Sequence, residues 1–340
     1  MSKATIRDVA RKAEVSVATV SRVLNNHPSV SPFTRQRVMD AIRELNYSPH
    51  PIAQRLSLGR TETLAVVVPL FTLPSFVERL RGVQKVLSHS GYDLVLFNVD
   101  SPHQRDEYFA TLATRARADG ILVLSIPPSD EDAERFLAAE VPVVLVDAYH
   151  PQLSSVYIDD VEGGYLATRH LISLGHRRIV YLSEPLNNPL EFGPMKKRLQ
   201  GYRKALAEEG IPFDPTCVVE AEPGREAAYH AARALLARRP PPTAVFAACD
   251  THAIGVLDAA RELGVRVPEA LSVVGYDDIP DAAYLNLSTV HQPLFETGRL
   301  GAELLLTLLQ GNGGKSAPIH RRLPVELIHR ATTAFAPTDV

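Results

Sequence analysis

Apolar runs that alternate with amphipathic stretches restrict the fold of this chain more than any other feature. From residue 62 onward, seven strand-like runs follow one another: TLAVVVPL, YDLVLFNV, GILVLS, VPVVLVD, RIVYLS, TAVFAAC and LSVVGYD. Amphipathic helical stretches separate them, for example at 76–89, 161–174 and 251–263. Continuous apolar strands separated by helices are typical of parallel sheets that are covered on both faces. The pattern predicts an α/β body.

These runs are too many for one small sheet, so we expect the body to have two lobes. We expect the chain to cross between them at junctions that contain Pro, Gly or Asp, near 159–163, 286–292 and 320–324. The expected first lobe is residues 62–160 plus 291–321, and the expected second lobe is residues 161–290 plus 322–336. Ligands of such sheets bind beyond the carboxyl ends of the strands, so the cleft between the lobes is the expected pocket.

The first sixty residues differ in charge from the rest of the chain. The formal net charge of the whole chain is −3. Residues 1–60 contain ten Lys and Arg against four Asp and Glu, an excess of six positive charges, so the remaining residues carry nine excess negative charges. A basic segment on an acidic body is typical of a protein that binds a polyanion such as nucleic acid. The alternative is an ordinary solvated basic face.

Three short helices are predicted in residues 1–47. The first starts at Thr5, where T-I-R-D resembles a capping box, and the second starts at Ser16 as N-cap. The third starts at Ser31, which is followed by a proline at the first helical position. The residues expected on their buried faces are Ile6, Val9, Ala10, Ala13, Val20, Val23, Leu24, Val38, Ile42 and Leu45. Two helices joined by a short turn and braced by a third form a helix-turn-helix.

The second helix has a small and nearly uncharged outer face. A recognition helix needs such a face, because long side chains near its start would keep it out of the major groove. Val17 and Ala18 offer apolar contact to a thymine methyl, and Arg22 can donate two hydrogen bonds to a guanine. Hydroxyl groups and helix starts can bind phosphate. The expected DNA-binding residues of the head are Thr5, Ser16, Val17, Ala18, Thr19, Arg22, Asn25, Ser31 and Thr34. A three-helix protein-interaction module is the alternative.

Longer motifs resemble one known family. The segment ATIRDVARKAEVSVATVSRVLNN and the residues after it resemble the N-terminus of the lactose-repressor (LacI/GalR) family of bacterial transcription regulators. The resemblance continues through LGHRRIVYLSEP, KRLQGYRKAL, VPEALSVVGYDD and TVHQPLFETGRLGAELLL, so it covers essentially the whole chain. It implies an all-α helix-turn-helix head and a two-lobed, periplasmic-binding-protein-like body of parallel sheets. The implied function is a repressor of pseudo-palindromic operator double-stranded DNA. Glu14 stands at a turn position where the family usually has Gly, which suits positive φ.

Residues 48–61, within SPHPIAQRLSLGRTET, have the composition of a linker. Two turns of helix are possible there, but they are too short to be stable alone. The resemblance implies that two such hinge helices pair across a dimer on DNA and enter the minor groove, where Leu56 wedges between base pairs. The hinge residues that it assigns to DNA are Ala53, Gln54, Arg55 and Leu56. From the residues alone, a flexible linker is the alternative.

The resemblance also implies an effector site in the cleft for a carbohydrate-like small molecule. Arg198 occupies the position of the family arginine that binds the effector, and Asp277 occupies an acceptor position. The alternatives are a surface ion pair for Arg198 and a capping role for Asp277. The expected effector-binding residues are Leu73, Asp147, Arg198, Pro223, Cys249, Asp277 and Leu294.

Two further features affect this expected site. The family often has an aromatic ring near Pro223, so stacking on a sugar would need another ring. The candidates are Phe71, Phe76, Phe192 and Tyr276. The strand-to-helix loop 185–195 is unusually long, and we expect it to shape the mouth of the cleft.

Other functions find little support in the sequence. The motifs GxxxxGK[ST], strand-linked GxGxxG, HExxH and GxSxG are absent, so an enzyme is not expected. The chain has no apolar run long enough for a membrane span and no signal-peptide stretch, which favours a cytoplasmic protein over an exported solute-binding protein. Cys217 and Cys249 lack metal-ligand spacing, so we expect no metal site and two buried free thiols. Some members of the resembled family have a tetramerising tail of leucine heptads. No such heptads follow LPVELIHRATTAFAPTDV, so the resemblance implies a homodimer.

Overall fold

The structure is a computed structural model that describes residues 4–25, 27–47, 61–114, 117–311 and 317–337. The chain divides into two compact units, Met1–Glu62 and Thr63–Val340, which we name the head and the body. Of the predicted hinge 48–61, only Thr61 is a described residue. The DNA contacts predicted for Ala53, Gln54, Arg55 and Leu56 therefore lie outside the described residues and stay predictions.

The described residues of the head contain three helices: α1 Ile6–Lys12, α2 Val17–Leu24 and α3 Pro32–Glu44. Each begins after the N-cap residue that the sequence predicts. Thr5 starts α1 with a reciprocal capping box. The hydroxyl oxygens of Ser16 and Ser31 accept hydrogen bonds from the N–H groups three residues later, at 3.1 and 3.2 Å. Each such cap stabilises its helix by about 1 kcal/mol.

The three helices of the head meet in a small apolar core. Its buried members are Val9, Ala10, Ala13, Val20, Val23, Val38 and Ala41. Four residues predicted to be buried are only half-buried at the rim of this core, namely Ile6, Leu24, Ile42 and Leu45. A core of this size leaves most of the surface of each helix exposed, because short helices have few inward-facing positions.

Two arginines of α3 stabilise the ends of the other two helices. Arg35 donates to the carbonyl oxygen of Val23 at 3.2 Å, and Arg37 donates to that of Ala13 at 2.5 Å. The last carbonyl groups of a helix have no partner within the helix, so these guanidinium groups satisfy them. Part of the basic charge of the head is therefore structural.

Strands and helices alternate along the body. The strands are β1 Thr63–Pro69, β2 Asp93–Val99, β3 Gly120–Leu124, β4 Val143–Val146, β5 Ser154–Ile158, β6 Ile179–Ser183, β7 Val218–Glu220, β8 Ala244–Ala247, β9 Ser272–Asp277, β10 Ser288–His291, β11 His320–Leu323 and β12 Glu326–Ile328. The helices are α4 Pro74–Leu87, α5 Pro102–Leu112, α6 Asp130–Ala138, α7 Asp160–Ser173, α8 Pro194–Glu208, α9 Arg225–Leu236, α10 Asp250–Glu262, α11 Pro280–Tyr284 and α12 Leu294–Gln310, with a 3-10 turn at Pro215–Cys217. Among the described residues, no helix combines the length and apolar character that crossing a bilayer requires.

The strands form two six-stranded sheets, one in each lobe of the body. The sheet of the first lobe has the order β11-β5-β4-β3-β1-β2 and is parallel. The sheet of the second lobe has the order β12-β10-β9-β8-β6-β7, and only β12 runs antiparallel to its neighbour. Each of the seven apolar runs contains a strand of these sheets, so the two-lobed α/β fold is confirmed.

The chain crosses between the lobes near the predicted junctions, with small differences in the residues involved. His291, predicted for the first lobe, pairs with Asp277 in the second sheet. Arg322 and Leu323, predicted for the second lobe, pair with β5 in the first sheet. These strands continue one or two residues past the predicted boundaries because backbone hydrogen bonding, rather than composition, determines where a strand ends.

Helices α4 and α12 approach each other closely through two glycines. A Cβ atom at Gly82 would lie 2.0 Å from the carbonyl oxygen of Phe295, and one at Gly298 would lie 2.0 Å from that of Arg79. Only glycine fits at such a distance. This close contact brings Arg79 of α4 next to the start of α12, where Gln292 lies.

Candidate functional site

The outer face of α2 is exposed and carries small side chains. Val17 is 42% exposed, and Ala18 beside it is also exposed. Arg22 is exposed one turn further along and has no ion-pair partner among the described residues. Asn25 ends α2, and its backbone N–H donates to the carbonyl of Ser21 at 3.0 Å. This face can bring apolar contact and one guanidinium group to base edges.

Some of the hydroxyl protons predicted to bind phosphate already form hydrogen bonds within the head. Ser16 and Thr19 share one hydrogen bond of 2.9 Å between their hydroxyl oxygens, so one proton of the pair remains for an outside acceptor. Ser31 donates to Thr34 at 2.9 Å, which leaves the Thr34 proton. Thr5 donates its proton to a carboxylate of its capping box at 2.7 Å. The starts of α2 and α3 are therefore better placed to bind phosphate than the start of α1.

The body contains a small cavity at the carboxyl ends of the strands of both sheets. Its volume is about 30 Å³. The residues that line it are Leu73, Ser75, Phe76, Arg79, Asp147, Glu184, Phe192, Met195, Arg198, Cys249, Thr251, Asp277 and Gln292. A cavity needs about 10–15 Å³ of such volume to hold one water. In this conformation the cavity therefore holds no more than a few waters and has no room for a sugar ring.

The acidic residues of the cavity follow strands. Asp147 follows β4, Glu184 follows β6, and Asp277 ends β9. The backbone of Asp147 has a φ of 59° and that of Asp277 a φ of 118°. Residues other than glycine are strained in this region, and such strain is concentrated at functional sites. Here it accompanies two carboxyl groups, from different lobes, that line the same cavity.

A continuous chain of buried polar contacts joins the two lobes at the cavity. Arg79 forms an ion pair with Asp147 at 2.9 Å and donates to the amide oxygen of Gln292 at 2.8 Å. Gln292 donates from its amide nitrogen to Asp277 at 2.5 Å. Because Gln292 lies where the chain crosses from one lobe to the other, its side chain connects the acidic groups of both lobes.

Arg198 is held in one orientation on the second-lobe side of the cavity. Its Nε atom pairs with Asp160 at 2.8 Å, and one Nη atom donates to the carbonyl of Ala248 at 2.6 Å and lies 3.7 Å from Asp277. The guanidinium carbon lies 3.6 Å from the centre of the Tyr276 ring, a cation–π distance. The side chain is 3% exposed, so the alternative of a surface ion pair is wrong.

Burial raises the pKa values of two acidic side chains in the cavity. Burial raises the pKa of Asp277 to about 6, although the positive charge of Arg198 acts in the opposite direction. Burial and the negative charge of Asp277 raise the pKa of Glu184 to about 7. Carboxyl groups with raised pKa values gain most from a partner that donates hydrogen bonds or carries positive charge.

Most of the predicted effector residues line this one cavity. They are Leu73, Asp147, Arg198, Cys249 and Asp277. Pro223 and Leu294 do not line it. Pro223 is half-buried in the loop between β7 and α9. Leu294 is 5% exposed and packs in an apolar core of the second lobe, because the start of α12 directs it there while Gln292 reaches the cavity instead.

Two of the four candidate aromatic rings line the cavity. Phe76 of the first lobe and Phe192 of the second have ring centres 6.1 Å apart. Phe71 and Tyr276 do not line it, and the Tyr276 ring instead contacts the guanidinium group of Arg198. The rings that a sugar could stack on therefore come from both sides of the cleft.

The long loop after β6 connects the two lobes. Leu190 of this loop is 7% exposed and packs in an apolar core of the first lobe. Phe192 packs against apolar clusters of both lobes. These contacts stabilise the closed arrangement in which the cavity is small.

Sequence reasoning missed five polar residues of the cavity: Ser75, Arg79, Glu184, Thr251 and Gln292. Glu184 carried a usable signal, since it directly follows an apolar strand as Asp147 does. Arg79 lies in the middle of a helix and Gln292 in a short crossing segment, and no local pattern distinguishes either residue.

Comparison with known proteins assigns the chain to a family. Residues 5–50 match the bacterial regulatory proteins of the lacI family, and residues 168–333 match a periplasmic binding protein-like domain. The HTH-type transcriptional repressor CytR of Escherichia coli (strain K12) is 36% identical over 339 residues, which cover 98% of this chain and 97% of CytR. The chain belongs to the LacI family.

Solved structures agree with this membership of the LacI family. A Lac repressor dimer bound to operator and the anti-inducer ONPF is 30% identical, with a TM-score of 0.80 over 98% of this chain and 100% of that chain. A complex of the transcriptional regulator CelR with cellobiose is 35% identical, with a TM-score of 0.69 over 97% of this chain and 99% of that chain. This LacI-family chain is a DNA-binding transcriptional regulator and not an enzyme.

Proposed function

We propose that this LacI-family protein acts in the cytoplasm as a homodimer that represses transcription from a pseudo-palindromic operator. A sugar or sugar derivative in the cleft of the body controls its affinity for that operator. The operator bound by the Lac repressor dimer and the cellobiose bound by CelR support these partner classes. In this proposal, α2 of each head enters a major groove, and a dimer places its two heads on the two half-sites.

The observation that carries the effector part of the proposal is the chain of contacts from Arg79 through Gln292 to Asp277. It joins both lobes around a cavity of about 30 Å³. Pockets for small ligands usually measure about 300–1,000 Å³. An effector therefore has to separate the lobes and replace these internal contacts with its own. Such a ligand binds the two arrangements unequally, which is the requirement for shifting a conformational equilibrium.

The polar groups of the cavity fit a ligand with many hydroxyl groups. A carboxylate such as Asp277 or Asp147 accepts hydrogen bonds from hydroxyl protons, and Arg198 donates to ring or hydroxyl oxygens. Phe76 and Phe192 offer apolar faces for the carbon skeleton. We assign Arg198 and Asp277 the main effector contacts, and we expect the effector to change operator affinity by about 1–3 kcal/mol.

The test begins with thermal shift of the full-length protein in a panel of mono- and disaccharides. A sugar that raises the melting temperature is then added to an operator retardation assay. We expect Asp277→Asn to abolish the effect of that sugar on operator binding while DNA binding itself remains. Asn at this position keeps the shape of the side chain and tolerates the positive φ.

Asp258→Asn is the matched control, since Asp258 forms ion pairs with Arg225 and Arg261 on an exposed surface and lies outside the cavity. It should respond to the sugar as the natural protein does. An unchanged response of Asp277→Asn would place the effector elsewhere. Operator affinity that does not fall as salt concentration rises would contradict the DNA-binding part of the proposal.

A further inference from the structure

Three potential metal ligands lie together beside the effector cavity. One ligand atom each of Glu184, Cys249 and His252 falls within 4.8 Å of the other two. Glu184 and Cys249 are each 6% exposed and His252 is 0% exposed. The ion pairs of Arg79 and Arg198 use none of the three side chains.

The fold of the second lobe positions this cluster. Glu184 directly follows β6, and the neighbouring parallel strand β8 leads to Cys249, which is the N-cap of α10. His252 lies in the first turn of the same helix, three residues after the cysteine. Residues three apart on a helix start point to the same side, so the thiol and the imidazole meet the carboxylate at the carboxyl edge of the sheet.

His252 has one ring nitrogen that donates a hydrogen bond and one buried ring nitrogen that is left as a free acceptor among the described residues. Its Nε2 atom lies 3.2 Å from the backbone carbonyl oxygen of Glu222, so Nε2 carries the proton and donates it. The Nδ1 atom is then an acceptor, and it is buried without a hydrogen-bond partner among the described residues. Histidines that bind metals usually donate their other ring N–H to a carbonyl or carboxylate in this way. Leaving a buried acceptor without a partner is otherwise unfavourable.

We propose that Glu184, Cys249 and His252 bind a Zn²⁺ ion, with the fourth coordination position open toward the cavity. A thiolate, a carboxylate and a neutral imidazole suit this borderline-soft ion better than Mg²⁺ or Ca²⁺, which prefer oxygen ligands. The two negative ligands neutralise the ion, so the occupied site buries no net charge.

The distances require only small adjustments for such a site. Ligand atoms in tetrahedral zinc sites lie about 3.5 Å apart, given bond lengths of about 2.0–2.3 Å. Rotation about the side-chain torsions of Glu184 and Cys249 can bring the ligand atoms to this separation, since both side chains border the cavity. A water or an effector oxygen in the cavity would complete the tetrahedron. The site needs no particular effector, so it stands independently of the effector assignment.

The experiment uses full-length protein without a polyhistidine tag, freed of metal by a chelator and dialysed. Titration with Co²⁺, a spectroscopic substitute for Zn²⁺, should give one equivalent of bound ion and a thiolate-to-cobalt absorption band. Excess Zn²⁺ should remove that band by displacing the cobalt. We expect Cys249→Ser to abolish the band and His252→Gln and Glu184→Gln each to weaken binding by at least about tenfold.

Cys217→Ser is the matched control, because Cys217 is the second free thiol of the chain and lies in the Pro215–Cys217 turn. It should keep the band at full intensity. Circular dichroism and operator retardation test whether each variant is folded. If one ligand variant unfolds, the other two still test the site.

Three results would overturn the proposal: no bound cobalt in the natural protein, binding without a thiolate band, or a band that is lost in Cys217→Ser. Cobalt bound by exposed histidines elsewhere on the protein would give the second result, binding without a thiolate band. Operator retardation by the same metal-free preparation separates the outcomes, since a protein that binds operator but no metal retains the proposed regulatory function and loses only the zinc site.

Discussion

Surface arginines of the head and the arginines that line the cavity of the body lie in opposite environments. In the head, Arg43 pairs with Asp40 at 2.8 Å while its side chain is 68% exposed. In the body, Arg79 and Arg198 are 2% and 3% exposed and each contacts several buried polar groups. An exposed charge affects folding little and acts on a large charged partner at a distance, whereas a buried charge is part of the fold and can recognise a small molecule.

Removal of the buried Arg198 should have the largest effect on stability. Arg198→Ala leaves Asp160 and Asp277 buried without their cation, and breaking a buried pair in this way costs about 3–5 kcal/mol. Differential scanning calorimetry of the full-length protein should therefore show a strongly lowered unfolding transition of the body.

The same substitution at Arg43 tests the comparison directly. Arg43→Ala removes an exposed ion pair and should lower the stability of the head by less than about 1 kcal/mol. If both variants lost similar stability, the difference between the two environments would not explain the role of these arginines.

Arg22→Ala should have an intermediate effect, on DNA binding rather than on stability. A bidentate contact to guanine contributes about 1–3 kcal/mol of discrimination, so operator affinity should fall by roughly five- to 140-fold. Affinity for unrelated DNA should fall much less. Retardation assays with operator and scrambled duplexes at one salt concentration measure both values.

Arg43→Ala is again the control, since it removes one positive charge from the head without altering the face of α2. It should weaken binding to both duplexes equally. Equal loss of operator affinity in the two variants would mean that Arg22 acts only through its charge.

This comparison also explains what the sequence could predict. The face of the head that we predict to contact DNA is formed by residues close together in the sequence: the N-cap Ser16, the exposed Val17 and the cation Arg22 belong to one short helix and its start. The two-lobed fold was predictable for a similar reason, because seven of its strands lie in contiguous apolar runs.

The interior of the cavity is assembled from distant segments. Asp147, Arg198 and Asp277 were found through strand ends and a family resemblance. Gln292 was missed, because its importance lies in contacts with Arg79 and Asp277 that only the fold creates. For the same reason Leu294 was assigned to the cavity, although helix α12 directs it into a core.

The smallest predicted effect concerns a backbone position where the head departs from its family. Glu14 follows the C-cap of α1 with a φ of 49°, and the next residue, Val15, donates back to the carbonyl of Ala10 at 3.0 Å. Glycine adopts this conformation without strain, but it loses more entropy on folding. We expect Glu14→Gly to stabilise the head by about 0.5–1 kcal/mol, measured by hydrogen exchange at the amides of Val9 and Val38.

Asn46 provides the matched control for this prediction. It follows the C-cap of α3 with a φ of 46°, and Tyr47 donates back to Ile42 at 3.0 Å, so the local geometry is the same. Asparagine tolerates positive φ far better than glutamate does, so Asn46→Gly should gain little or nothing. An equal gain in both variants would show that something other than the glutamate backbone limits the stability of the head. The exposed contact of Glu14 with Arg37, at 3.4 Å, is too weak to reverse the expected order.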